Sequence, residues 1–377
     1  MRLRNRILSA IGALVLVALV TVGIMISHNS PCGAPEALPS GATPMQAIVY
    51  RCYGSPEVLT LESRPKPTPA DNEVLVKVHA AALNPLDWHY MRGSPYIMRF
   101  SSGLGAPEDP RMGVDYAGTV EAVGKSVTRF KPGDEVFGGK DGAFGEYVAV
   151  REDRAISPKP ANVTFQQAAA VPIAALTALQ ALRDKGHVQP GQKVLVNGAS
   201  GGVGTFAVQI AKSYGAEVTG VCSTRNVELV RSIGADHVID YTQKDFTAGG
   251  ERYDLIIDNV GNHSLLSLKG VLTPKGKLVM VGGPKGDWIG PLARPVKAMI
   301  VAPFVSQQLG MMLAEFRQPD LDFLGELMRS GKMTPVIDRQ YTLKETPAAM
   351  AYLEEGRARG KVVINVDQTS PTTLPRS

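Results

Sequence analysis

The chain has 377 residues, room for two domains of ordinary size. Its formal charge of +5 is mild, and three of the positives, Arg2, Arg4 and Arg6, fall in the first six residues, so no nucleic-acid footprint is expected in the rest. Cys32, Cys52 and Cys222 are too few for a disulfide framework and lack metal spacing, and the six histidines form no H-x-x-x-H pair, which excludes a zinc site of the usual kind.

Ile7 to Ile26 is 20 residues without a charge. As a helix at ~1.5 Å per residue it spans ~30 Å, the hydrocarbon thickness of a bilayer. A cleavable signal peptide has a shorter apolar core, ~7–15 residues, before a small-residue cleavage site. No clean A-x-A follows here, so residues 1–27 are expected to form one N-terminal transmembrane anchor, with a signal peptide as the alternative. The absence of Lys and Arg between this run and Arg51 predicts the body outside. Unpaired cysteines favour a reducing compartment instead. Residues 28–44, rich in Pro, Gly, Ser and Ala, read as a linker.

From Met45 short alternating runs predict strands at Gln46–Cys52, Glu73–His79, Gly113–Val123, Asp134–Gly138 and Gly145–Val150. Thr164 to Asp184 is expected to be helical, capped by Thr164. Next comes the most informative stretch, Gly191 to Arg225. Lys193–Val196 reads as a buried strand and runs into Gly198-Ala199-Ser200-Gly201-Gly202-Val203-Gly204, then an amphipathic helix, then the strand Val218–Val221. Strand, glycine turn, helix and strand form the unit that sets a pyrophosphate on a helix N-terminus.

Gly198 to Gly202 also satisfies G-x-S-x-G, the nucleophile elbow of α/β-hydrolases. That fold needs a late histidine, and the last one is His263, more than 100 residues before the end. Dinucleotide binding is the better reading. An acid at the end of the second strand would select NAD, but Cys222, Ser223, Thr224, Arg225 and Asn226 stand there instead. Hydroxyls and a guanidinium suit the ribose phosphate of NADPH.

Alternation continues with helices at Asn226–Ile233 and Asn262–Gly270 and strands at Val238–Tyr241, Tyr253–Asp258 and Lys277–Gly282, as in an open parallel sheet. Lys361–Val366 reads as an edge-like strand that could rejoin the β-rich part, and 367–377 as a disordered tail. Asn84-Pro85-Leu86-Asp87-Trp88-His89-Tyr90 gathers polar and aromatic groups after a strand.

These residues together resemble the zeta-crystallin-like quinone oxidoreductases, zinc-free members of the medium-chain dehydrogenase/reductase superfamily. The likeness runs from about Gln46 to Val366. It rests on Gly191-Gln192 through Leu195, Ala199 to Gly204, Gln209, Lys212, Gly113-Val114-Asp115, Lys131-Pro132-Gly133-Asp134, Asp258 to Gly261 and Gly360 to Ile364. The resemblance implies an α/β fold: a GroES-like catalytic domain from 45–163 and 335–366 around a Rossmann doubly wound parallel sheet at 164–334. It implies NADPH contacts at Ser200, Gly201, Gly202 and Val203, at Ser223, and at Tyr241, Asn262, Gly282 and Gly283, to which the reading of the strand end adds Arg225. The cysteine and Gly-His-Glu of zinc alcohol dehydrogenases are missing near Asn84 and Gly113, so no metal is expected.

The expected reaction is hydride transfer from NADPH to a quinone or α,β-unsaturated carbonyl. Asn84, His89 and Tyr90 are the candidate catalytic donors to the developing oxyanion. Alternatives are a reductase of aldehydes, alcohols or enoyl thioesters, and a membrane-tethered NADPH-binding module without turnover. The expected partners are a small-molecule quinone or enone, the membrane and a second copy in a homodimer.

Overall fold

The computed structural model describes residues 2–283, 286–288 and 290–367, with side chains throughout except at 2–10, 291 and 292. After the helix α1 (Arg2–Ser27) come strands β1 (Pro44–Tyr50), β2 (Leu59–Pro65) and β3 (Glu73–Leu83). Helices α2 (Pro85–Arg92) and α3 (Arg99–Ser102) precede β4 (Asp115–Val123), β5 (Glu135–Gly139), β6 (Tyr147–Arg151) and β7 (Ile156–Pro158). Two helices, α4 (Phe165–Ala169) and α5 (Pro172–Gln180), lead into β8 (Lys193–Asn197), α6 (Gly202–Ser213), β9 (Glu217–Cys222), α7 (Val227–Ser232) and β10 (His237–Asp240). The chain continues through β11 (Tyr253–Asp258), α8 (Leu265–Gly270), β12 (Leu272–Met280), α9 (Gly290–Val301), β13 (Gln308–Met311) and α10 (Gln318–Arg329). It closes with β14 (Ile337–Thr342), α11 (Thr346–Glu354) and β15 (Lys361–Asn365).

Six parallel strands lie in the order β10-β9-β8-β11-β12-β13, so strand order reverses between β8 and β11. In an open α/β sheet that switch point is where a dinucleotide binds, outside the carboxyl ends of the strands. A second sheet runs β14-β15-β3-β4-β5-β7, with β6 also on β3. β15 is therefore interior, between β14 and β3, rather than an edge. All five of its residues are buried, and the unbroken run Val362-Val363-Ile364 is the composition of a strand covered on both faces.

The expected helix from Thr164 to Asp184 is two helices. Thr164 caps α4 by accepting from Gln167 N at 3.1 Å. Pro172, which has no N–H, sits in the first turn of α5 and starts a new helix. α5 is buried around nearly its whole circumference, and one core cluster joins Ala80, Ala117 and Phe137 of the β sheet to Leu176, Leu179, Val194 and Phe206. Each such large side chain, fully buried, is worth roughly 1.5–3 kcal/mol. This shared core holds the two sheets in one relative position.

The N-terminal segment departs most from expectation. Among the described residues no helix is long and apolar enough to cross a membrane; the described side chains of α1 begin only at Ile11. The linker is not free of the body: Ser30 N donates to Gly105 O at 2.8 Å, and Cys32 is disulfide-bonded to Cys52, leaving only Cys222 as a free thiol, buried. The expectation of unpaired cysteines is thus overturned, because the Pro-rich segment folds back and brings Cys32 beside the end of β1. The tail expected at 367–377 lies outside the described residues except for Asp367, whose carboxylate contacts His79 Nδ1.

Candidate active site

β8 delivers the chain into the glycine turn. Gly198 has φ +79°, a conformation L side chains avoid, and the N–H groups of Gly198 and Ala199 both donate to Val221 O, at 3.1 and 2.9 Å. A Cβ on Gly204 would sit 2.0 Å from Gly198 O, so only glycine lets α6 start this close to β8. At Gly201, in contrast, a Cβ would meet nothing nearer than Gly198 O at 3.5 Å. Gly201 is the N-cap and offers no side-chain cap, so no capping side chain occupies the first amides of α6. That cradle fits a dinucleotide pyrophosphate, which these amides, with Ser200, Gly202 and Val203 beside them, would hold.

The next strand end is tied to this turn by a residue sequence reasoning passed over. Asn226 is buried, and its Nδ2 donates to Ser200 Oγ at 3.0 Å and Ser223 Oγ at 3.2 Å, while its Oδ1 is buried without a partner. Ser200 is therefore engaged by an amide, not by the histidine a nucleophile elbow requires. Arg225 is exposed and donates one nitrogen to Arg357 O at 2.8 Å. Tyr241 is exposed on the far side, its N–H on Cys222 O at 3.0 Å. Asp240, at the end of the adjoining strand, accepts from Thr224 Oγ1 at 2.6 Å; this bond, with those from Thr242, holds its carboxyl below the usual range. Chain order hid this acid, since only the register of β10 on β9 places it opposite Cys222.

At the other end of the groove, Asn262 Oδ1 accepts from Asn197 Nδ2 at 2.9 Å, and the same nitrogen donates to Asp258 Oδ1 at 2.8 Å. Asp258, fully buried, also accepts from Gly261 N at 3.0 Å and Arg294 Nη2 at 2.7 Å. A Cβ on Gly282 would lie 2.0 Å from Asn259 O, and one on Gly261 would lie 2.9 Å from Gly283 Cα. The carboxyl ends of β8, β11 and β12 are thereby drawn together, leaving Gly282 and Gly283 beside Asn262.

The β domain supplies a second turn facing the glycine turn. Gly360 N donates to Ser200 O at 2.9 Å, Gly201 and Gly360 form a parallel bridge, and Lys361 follows directly. Lys361 Nζ donates to Leu83 O at 2.9 Å and to Asn84 Oδ1, and lies 3.4 Å from Asp115 Oδ2. Asn84 Nδ2 donates to Asp115 Oδ2 at 2.9 Å, Ile173 N to Asp115 Oδ1 at 3.0 Å, and Asn84 N to Asp87 Oδ2 at 2.7 Å. All four side chains are buried. Burial pushes the Asp87 carboxyl up to about 8, with Asp115 adding to the rise, and burial also raises Asp115, where Lys361 and the Asn84 amide oppose it. Burial draws Lys361 down, and Asp115 opposes that. The Asn84 amide is spent inside this knot: both its oxygen and its nitrogen are bonded there. Sequence reasoning had given it to the substrate.

Among the described residues no group of three or more His, Cys, Asp or Glu could hold a metal ion. The family model for the alcohol dehydrogenase GroES-like domain matches residues 70–161, and that for the zinc-binding dehydrogenase matches residues 233–364. The bovine mitochondrial NAD(P)H oxidoreductase RTN4IP1 is 35% identical over 366 residues, covering 86% of this chain and 90% of the relative. The chloroplast envelope quinone oxidoreductase homolog of Arabidopsis thaliana is 34% identical, covering 85% and 98%. The quinone oxidoreductase structure from Coxiella burnetii superposes with a TM-score of 0.76 at 33% identity, over 86% of this chain and all of that one. The chain belongs to the zinc-free quinone-oxidoreductase family of medium-chain dehydrogenases/reductases. As a member it is an NAD(P)H-dependent oxidoreductase. The Escherichia coli quinone oxidoreductase, solved in complex with NADPH, has a TM-score of 0.73 at 26% identity.

In this oxidoreductase α2 carries the two remaining candidate donors in different settings. His89 Nδ1 donates to Ser94 O at 2.6 Å, and its ring stacks on Trp88 with centroids 3.7 Å apart. Tyr90 packs against the β-domain core, where burial first, then Asp141 and Asp87, raise its pKa. The turn after α2 reaches the Rossmann side: Ser94 Oγ donates to Asp287 Oδ1 at 2.6 Å, and Tyr96 N to Asp287 O at 2.7 Å. Asp115 and Lys361 were visible only as parts of the family resemblance. Asp287 and Arg294 left no sequence signal.

Proposed function

We propose that the protein binds NADPH across the carboxyl edge of the Rossmann sheet and reduces a quinone or an α,β-unsaturated carbonyl. The observation that supports this is the junction at Gly201 and Gly360, from which the next residue, Lys361, reaches Asn84 at the N-terminus of α2, the helix that carries Asp87 and His89. Bound NADPH supplies a hydride, and reduction of a quinone to a hydroquinone then needs one proton more. His89, with Nδ1–H held by Ser94 O, is the α2 side chain that relays that proton in this reading. Asn84, locked by Lys361 and Asp115, orients the start of α2 rather than touching the acceptor. Tyr90 supports the same helix from the core side.

NADPH is favoured over NADH by Ser223, Thr224 and the exposed Arg225 at the end of β9, with Asp240 already occupied by Thr224 and Thr242. The test is cofactor oxidation against a panel of quinones and enones with each nucleotide. We expect turnover of at least one acceptor and a preference for NADPH of roughly tenfold or more. Nucleotide binding without oxidation by any acceptor would leave a binding module instead.

The described side chains of α1, from Ile11, are too few to span a bilayer; in this reading the whole uncharged run of the sequence, Ile7–Ile26, seats in one. Leu14, Leu16, Val17, Leu19 and Ile24 are all more than half exposed, on every side of the helix. The Cys32–Cys52 disulfide now agrees with the charge asymmetry, both favouring a body on the oxidising side. A reporter fused after Ser377 should respond on the side opposite the N-terminal arginines; a response on their side contradicts this orientation.

A further inference from the structure

The contacts leading outward from His89 end at α1. His89 holds Ser94 O, Ser94 holds Asp287, and the ring of Tyr96 meets Trp288 edge-on with centroids 4.9 Å apart. A Cβ on Gly23 of α1 would touch Trp288 at 3.4 Å. Arg99, almost wholly buried, donates from Nη1 to Ile26 O and His28 O, both at 2.9 Å, and from Nε to Gly93 O at 2.7 Å. Its guanidinium lies over the rings of Tyr53 and Tyr96. A buried cation therefore takes a carbonyl of the last turn of α1 and one just beyond it, the end at which a helix favours positive charge. The base of α1 is built into the lip of the cleft.

That lip is apolar where it faces solvent. Ile97, Phe100, Leu104 and Trp288 are 53%, 66%, 52% and 51% exposed, and Ile24 and Met25 at the base of α1 are 64% and 57%. Single exposed apolar residues are ordinary, but several of them beside a helix apolar on every side, with Trp288 against Gly23 of that helix, are not. A protein groove would cover one stripe of α1, whereas hydrocarbon covers its whole circumference. A tryptophan at the junction and three arginines ahead of the apolar stretch match the two interfaces of a bilayer.

We propose that Ile97, Phe100, Leu104 and Trp288 form a bilayer-facing platform continuous with α1, so that the cleft takes a quinone or enone with a long apolar tail directly from the membrane. This rests on the reductase reading above and names the substrate class for the same site. The test uses the full chain in phosphatidylcholine vesicles and has two arms. In the first, Phe100→Cys and Glu228→Cys carry an environment-sensitive fluorophore, and spin-labelled lipid is the quencher; Glu228 lies on α7, by the far edge of the Rossmann sheet. Cys32 and Cys52 are paired and Cys222 is buried, so neither competes for label. Quenching at position 100 but not at 228 is expected. In the second, the double variant Phe100→Glu, Leu104→Glu should lose roughly tenfold or more in kcat/KM for a long-tailed quinone in the vesicles, because charge is driven off hydrocarbon. A short, water-soluble quinone should be reduced within about twofold of the parent rate.

Equal loss with both acceptors, or no quenching at position 100, overturns the platform. Should the parent reduce neither quinone, the reductase reading fails, and the quenching arm alone still decides whether the lip meets the bilayer.

Discussion

The glycine turn after β8 and the Asn-Pro turn at the start of α2 are joined through Gly360 and Lys361, yet they are built in opposite ways. The glycine turn works through backbone amides and the absence of side chains, with open space over Gly201. The Asn-Pro turn depends on a buried knot of ionisable and amide groups, Asn84, Asp87, Asp115 and Lys361, drawn from three separate strands or turns. A backbone site of this kind is spoiled by an added side chain and needs no charged residue of its own to attract an anion. A buried charged knot depends on every partner being present.

The difference can be broken most severely at Lys361. Lys361→Met keeps the volume but removes the buried cation beside Asp115, leaving that carboxyl only the Asn84 and Ile173 N–H groups, so urea unfolding should show a loss of ~3–5 kcal/mol. Less than about 1 kcal/mol would mean that the knot does not depend on this cation. Asp87 tests the same knot by pH. Its carboxyl titrates near 8 in the folded chain against an ordinary value of 3.8, so the folded state holds the extra proton between those values. Its contribution to stability is complete below the lower value and is lost as pH rises through about 8. Asp87→Asn, which keeps an oxygen for Asn84 N, should flatten that decline in unfolding measured from about pH 5 to about pH 8. An unchanged slope would assign the decline to other groups. On the glycine side, Gly201→Ala should leave stability within about 1 kcal/mol. NADPH binding, measured by titration, should weaken by roughly tenfold, because the methyl fills the cradle. Unaltered binding would place the pyrophosphate elsewhere.

The same contrast explains what could be read from the chain and what could not. The strand-turn-helix-strand unit at 193–222 was visible because everything it needs is local: β-branched runs, glycines at fixed offsets, an amphipathic helix. The break at Pro172 was equally visible and was smoothed over by the strong helical pattern on both sides. The knot was not readable, since Asn84 and Lys361 are 277 residues apart and nothing local says that Lys361 is buried. β15 looked like an edge because it ends the pattern, although its apolar run has the composition of a strand covered on both faces. The Cys32–Cys52 pair depends on the linker folding back, which a Pro-rich composition does not announce.

The central claim is that the hydride donor held by the glycine turn and the proton carried by His89 serve one acceptor in one cleft. Its most direct measurement is single-turnover oxidation of the NADPH-loaded protein by a short quinone, comparing the parent with His89→Gln. Hydride transfer should slow by roughly 100-fold while NADPH affinity stays within about twofold. Identical transfer rates in the two proteins would contradict the claim.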